Sequence, residues 1–213
     1  MTGATARIEK VVTAGTFTLD GGEWQVENNV WLVGDDREVL VVDAAHDAEK
    51  ILAAVGDRRV VAVVCTHGHN DHVNAAVEVA AATDAVIALH PGDRMLWAME
   101  YGEDLHPDIE LGEADPFPVA GTTLAVLHTP GHTPGSVCLY APDLGVVFSG
   151  DTLFHGGPGA TGRSYSDFGE IIDSVRDRVL TLPPATVVHT GHGSDTTIGR
   201  ESPHLEEWIA RGH

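Results

Sequence analysis

The sequence predicts an α/β chain folded as a four-layer αββα sandwich, with two sheets face to face and helices outside them. Three observations carry this. Strand and helix signals fall into two βα-rich blocks around a loop-rich break at residues 102–118. The early strands read as hairpins rather than βαβ crossovers. No glycine-rich dinucleotide fingerprint follows a strand, which sets aside a doubly wound single sheet.

Residues 8–12, 30–33 and 39–42 are Val-rich and bounded by Gly and Asp, the pattern of strands. Residues 47–55 carry Ala48, Ile51, Leu52 and Val55 at helical spacing. Residues 60–66 form a nearly continuous β-branched run, expected of a strand buried on both faces. An Ala-rich helix follows at 73–82 and a second buried strand at 85–89. Trp97, with Met95 and Met99, reads as a helix face turned to the core. Past the break, strands are expected at 122–128, 137–140, 146–149 and 186–189, and helices at 167–180 and 204–210. No repeat, low-complexity tract or linker divides residues 1–213, so a single domain is expected.

Composition excludes several classes of function. The chain has 32 acidic and 12 basic residues, a formal charge of −20, and no cation cluster to meet phosphates, so nucleic acid is not an expected partner. The longest apolar run, residues 60–65, falls far short of the roughly 20 residues that span a bilayer. Residues 1–12 lack the apolar stretch of a secretory leader. Cys65 and Cys138 lie in strand-like segments and are expected to be buried, reduced thiols. These features together point to the cytoplasm, and the acidity itself reads as a solvated surface.

The chemistry concentrates in histidine, of which there are 13. Thr66-His67-Gly68-His69-Asn70-Asp71-His72 follows the buried strand at 60–65 directly. In an extended chain His67 and His69 point the same way and can share one ion, while Asp71 and His72 enter a turn and can face a second. Three further strand ends carry a ligand type beside a glycine: His132 in Thr129-Pro130-Gly131-His132-Thr133-Pro134-Gly135, Asp151 in Ser149-Gly150-Asp151, and His192 in Thr190-Gly191-His192-Gly193. The loop at 154–168 follows Asp151 closely and must lie beside any such site. Its Arg163 could pair with a substrate carboxylate and its Tyr165 could donate or stack. His46, His90, His106, His128, His189, His204 and His213 fit no ligand position and are assigned structural or surface roles, and His155 an exposed loop position.

HxHxDH, a later lone His, a Gly-Asp after a strand and a final GHG together resemble the signature of the metallo-β-lactamase fold superfamily, over nearly the whole chain. The resemblance implies that His67, His69 and His132 bind one metal, that Asp71, His72 and His192 bind the other, that Asp151 bridges them and that Asp43 supports the site from behind. The wording of SGDTLF, TPGHTPGS and TGHG is most similar to the glyoxalase II group, which hydrolyses thioesters such as S-lactoylglutathione. By that resemblance the chain is a metallo-hydrolase in which a hydroxide bridging two divalent ions, zinc first with iron or manganese also suited, attacks the thioester of a small thiol, with Asp71 orienting it. Three departures bear on the thiol. Val73-Asn74-Ala75 stands where the group has Gly. The C-terminal helical region that helps longer members bind glutathione is not expected here. Residues 162–168 run Gly-Arg-Ser-Tyr-Ser-Asp-Phe, where the group joins Gly-Arg and Asp-Phe more directly.

Rival readings remain open at this point. A persulfide dioxygenase uses one iron, held here by His67, His132 and Asp151 as a facial triad. A lactonase or β-lactamase would use the same two metals, and a metal-binding protein without catalysis would keep the fold alone. Oligomeric state is not legible in the sequence.

Overall fold

A computed structural model describes residues 6–212. Residues 1–5, part of the leader argument, and His213 lie outside the described residues. Among the described residues the chain forms two six-stranded sheets with helices on both outer faces, the four-layer αββα sandwich expected.

The first sheet runs in chain order. A long antiparallel hairpin, β1 (Arg7–Leu19) and β2 (Gly22–Gly34), is followed by β3 (Glu38–Val42), β4 (Arg59–Val64), β5 (Val86–Leu89) and β6 (Ile109–Glu110). β2 and β3 pair antiparallel, and β3 to β6 are parallel, so helices must carry the returns. These are α1 (Ala48–Val55), α2 (Asn70–Val73), α3 (Ala76–Thr83) and α4 (Arg94–Tyr101). The second sheet begins with the meander β7 (Pro116–Val119), β8 (Thr122–His128), β9 (Val137–Ala141) and β10 (Val146–Gly150). After a small ribbon of β11 (Leu153–Phe154) and β12 (Gly157–Pro158) comes α5 (Phe168–Ser174). β13 (Val187–Thr190) pairs parallel to β10 and antiparallel to β14 (Thr196–Thr197), and α6 (Ile198–Glu201) and α7 (Leu205–Arg211) close the chain.

Side-chain alternation assigns each strand residue to a layer. Val39 and Val41 pack with Ile51, Val55, Ala76 and Val79 under α1 and α3. Their neighbours Leu40 and Val42 face the other way, onto Leu124, Val126, Leu139 and Phe148 between the sheets. Across the second sheet, Cys138, Val147 and Val188 meet Ile171, Val175 and Trp208. Cys65 lies in the first of these three cores and Cys138 in the third, both as buried free thiols. The sandwich thus separates them, and each thiol titrates above its ordinary value because burial disfavours the thiolate.

Several elements differ from expectation. The helix expected at 73–82 forms only from Ala76, as α3, because Asn74 and Ala75 separate it from the short α2, which ends at Val73 where it was expected to begin. The break turns α2 so that Asp71 and His72 face inward, while the Asn74 side chain bonds the His46 backbone N–H and ring. The helix at 167–180 loosens into a π-type turn over Val175–Val179. In α4, Trp97 is buried as expected, but Met95 and Met99 are exposed. Met95 and Met99 share one face a turn apart, and Trp97, about 200° round the helix from each, lies on the other, so burying Trp97 turns both methionines to solvent.

Candidate metal centre

All the strand ends singled out in the sequence reach one edge of the sandwich, and they come from both sheets. β4 leads into His67–His72, the β8–β9 loop carries His132, β10 ends before Asp151 and β13 before His192. Backbone bonds splice these loops together: Val137 N–H donates to Thr66 O (2.8 Å), Gly191 N–H to Gly150 O (2.9 Å) and Asn29 N–H to Gly191 O (2.8 Å). The closeness requires glycine at 191, where a Cβ would lie 2.3 Å from Asp151 Oδ1.

Two clusters result. His67 Nε2 and His132 Nε2 each lie 3.1 Å from His69 Nδ1. Nearby, His72 Nε2 lies 3.2 Å from His192 Nε2, and Asp71 Oδ2 lies 3.4 Å from the latter. Asp151 stands between them. Its Oδ1 is 3.3 Å from His72, and its Oδ2 is 3.4 Å from His192 and 3.6 Å from His132. Three groups are close enough to hold an ion: His67, His69 and His132; Asp71, His72 and His192; and His67, His72 and Asp151.

Acceptors behind the rings orient them. His132 Nδ1–H donates to Ala160 O (2.9 Å), His192 Nδ1–H to Glu27 O (2.7 Å) and His72 Nδ1–H to Asp43 Oδ2 (3.0 Å). Since those partners can only accept, each Nε2 is left facing inward. Asp43, with positive φ, is itself held by Thr66, whose N–H and Oγ1–H donate to its two oxygens at 2.7 and 2.8 Å. Burial holds His67 well below its ordinary pKa and His69 at about 3, helped by neighbouring imidazoles, so both are neutral. Burial alone would raise Asp71 and Asp151, but His72 and His192 hold both down, Asp71 to about 2. Against the effect of burial, the carboxylates in turn raise both imidazoles, His192 to about 10, so in the protein alone these two rings hold protons that a bound ion would displace from Nε2.

This donor set fits metal ions. A single N–H on His69 Nδ1 can point at only one of the two Nε2 atoms 3.1 Å away, whereas a cation among the three takes all their lone pairs. Ligands of a tetrahedral zinc at 2.0–2.1 Å stand about 3.3 Å from each other. Asp151 Oδ1 is buried with no hydrogen-bond partner, an orphaned acceptor lying 3.3 Å from His72 Nε2 that a bound ion would satisfy.

A profile of the metallo-beta-lactamase superfamily matches residues 24–192. The chain belongs to the metallo-beta-lactamase superfamily. Hydroxyacylglutathione hydrolase GloC of Haemophilus influenzae is 31% identical over 190 residues, which cover 82% of this chain and 90% of that protein. The crystal structure of the B3 metallo-beta-lactamase BLEG-1 superposes with a TM-score of 0.77 at 29% identity, over 92% of this chain and 99% of that one. TTHA1623, in a di-iron-bound form, gives 0.73 at 35% identity, over 83% and 93%. Membership of this superfamily supports a hydrolase with a metal-binding centre at the clusters above.

Beyond that superfamily signature, the structure shows a network that the sequence reading missed. Asn28 donates to Asp71 Oδ2 (3.2 Å), His46 lies 3.0 Å from Asn28 Oδ1, and Asn74 lies 3.0 Å from the other nitrogen of His46. His46, assigned a structural or surface role from sequence, stands two contacts behind Asp71. Arg163 lines the hollow in front of the clusters, with Phe17, Leu19, Val26, Phe154 and Ser166. Tyr165, on the same loop, is 40% exposed and does not line it.

Proposed function

We propose that the protein is a di-metal hydrolase that cleaves thioesters of a small thiol, in the manner of glyoxalase II. His67, His69 and His132 hold one ion, Asp71, His72 and His192 the other, and Asp151 both, with Asp43 fixing His72 from behind. The observation that carries this is Asp151 itself, a buried carboxylate within 3.6 Å of imidazoles from both clusters. The similarity to GloC supports the thioester reading, and the absence of a Gly-x-Ser-x-Gly elbow favours water over a serine nucleophile.

Bound there, two divalent ions would supply a Lewis acid for the carbonyl oxygen and a water that ionises near neutral pH. Zinc suits the His-rich cluster, and the di-iron form of TTHA1623 makes iron the alternative to assay. The chain's own residues do the rest. Asn28 holds Asp71 Oδ2, leaving Oδ1 to take the proton of the attacking water. The hollow of about 160 Å³, walled by Phe17, Leu19, Val26 and Phe154, excludes bulk water from the reacting acyl group. Arg163 offers a planar cation to a substrate carboxylate. A thiolate leaves without help from a strong acid, so no further proton donor is needed.

The test is metal analysis beside thiol release from a panel of acyl-thiols. His67→Ala is expected to lose the ion of its own cluster and Asp151→Ala to weaken both, with turnover falling at least about 100-fold in each. Full turnover by either variant with its site empty would overturn the mechanism. Oxygen uptake with a persulfide, in place of thiol release, would move the assignment to a mononuclear iron dioxygenase.

A further inference from the structure

Asp93 lies outside both clusters, yet its carboxylate joins the two loops that carry the first one. It follows β5 through the turn His90-Pro91-Gly92 and is fully buried. Oδ2 accepts from Gly68 N–H (2.8 Å) and Thr133 Oγ1–H (2.6 Å), and Oδ1 from Gly135 N–H (2.6 Å). Gly68 lies between His67 and His69, and Thr133 directly follows His132. One side chain therefore fixes the backbone on both sides of the three converging nitrogens.

The usual reason for an Asp at this position does not apply. Asp93 stands where the N-cap of α4 falls, but its side chain caps no helical N–H. All three of its bonds run outward, from the first sheet to the β4 loop and to the β8–β9 loop of the second. Glycines make room for it: a Cβ on Gly135 would lie 2.6 Å from Asp93 Cγ, and one on Gly68 3.0 Å from Asp93 Cβ. Both oxygens accept, so an amide in its place would turn an NH2 group against either Gly135 N–H or the Gly68 and Thr133 donors. Charge-assisted bonds of this kind are roughly twice as strong as neutral ones, which suits a brace between loops of different sheets.

We propose that Asp93 is a positioning residue for the ion held by His67, His69 and His132, and not for the ion held by Asp71, His72 and His192. This rests on the two-ion reading above. The second cluster has its own supports, Asp43 behind His72 and Asn28 behind Asp71, and none of them touches Asp93.

The experiment measures zinc affinity by competition with a chromophoric chelator, with total metal from elemental analysis. Asp93→Asn is made in two backgrounds: His192→Ala, which isolates the His67 cluster, and His67→Ala, which isolates the other. Thermal unfolding of each metal-free protein is recorded alongside. Asp93→Asn is expected to weaken zinc at least about tenfold in the first background and less than about twofold in the second. Thr133→Val, which removes one of the three donors, is expected to shift the same ion by a smaller factor. Equal affinities in the first background overturn the proposal. So does equal weakening in both, accompanied by an earlier metal-free transition, which is the mark of a purely structural brace. If Asp93→Asn does not fold, Thr133→Val decides by the same comparison. An unsubstituted protein that binds no zinc at the His67 cluster overturns the metal reading as well, whereas selective failure of Asp93→Asn overturns only this inference.

Discussion

Two aromatic faces hold the Arg163 guanidinium: its central carbon lies 3.9 Å from the Trp24 ring and 5.2 Å from that of Phe17. Such stacking contributes about 0.5–1 kcal/mol at an exposed site and leaves the N–H edge available to a planar anion. Arg163→Ala is expected to raise KM roughly tenfold for a thioester bearing a carboxylate, with kcat and the KM of a neutral thioester little changed. A matched pair of substrates checks this. His90 permits a pH experiment away from the metal clusters. It stacks on His128 at 4.0 Å, and burial, then His128, hold it at about 4 against the pull of Glu113. Its folded value lies below its unfolded one, so its stabilising contribution is complete above pH 6.5 and is lost as pH falls toward 4. His90→Asn should therefore flatten the dependence of the urea midpoint on pH between 6.5 and 4, relative to the parent protein. Ligand types were legible in the sequence because they crowd into short motifs at strand ends. Asn28, His46 and Asn74 were not, since three separate segments meet only in the fold. Asp93 was within reach, because a Gly-Asp after a buried strand is the same signal that marked Asp151.

At the scale of elements, capping and periodicity explain both the successes and the misses. α1 begins where expected because Asp47 accepts from Lys50 N–H at 2.9 Å. Asp47→Ala should cost about 1 kcal/mol of stability, read from chemical denaturation, and leave metal content unchanged. The β1–β2 hairpin runs much further than the strands read from sequence, 8–12 and 30–33. Its outer half stands off the core as a two-stranded ribbon, where alternation of apolar and polar residues fades because neither face is wholly buried. Its turn carries a signal the sequence reading passed over: Asp20 and Gly21, at φ 53° and 75°, form the two-residue loop that an Asp-Gly pair favours. From that tip Asp20 accepts the Ser164 N–H at 3.0 Å, tying the hairpin to the loop over the hollow. Met95 and Met99 were assigned to the core with Trp97, although a two-residue step sets residues on opposite faces of a helix, and the buried pair is Leu96 and Trp97.

Over the whole molecule, the formal charge of −20 opposes the approach of an anionic substrate. Raising ionic strength shortens the range of that field to about 8 Å near physiological salt. For an anionic thioester kcat/KM should therefore rise with salt, and for a neutral one it should stay level; a fall for the anion would show that local attraction at Arg163 outweighs the global field. The layered architecture was legible from the two βα-rich blocks around a central break, and the structure buries the two faces of the all-apolar run 39–42 in two different cores. No helix among the described residues is long and apolar enough to cross a membrane. The hairpin tip and the 154–168 loop wall the hollow, while most of the groups that would hold the ions sit on strand ends braced from both sheets. Substrate fit and metal holding are therefore borne largely by different parts of the chain. Side chains at residues 17–26 and 154–168 can be exchanged to reshape the hollow, as long as the backbone at Ala160, whose carbonyl orients His132, keeps its place.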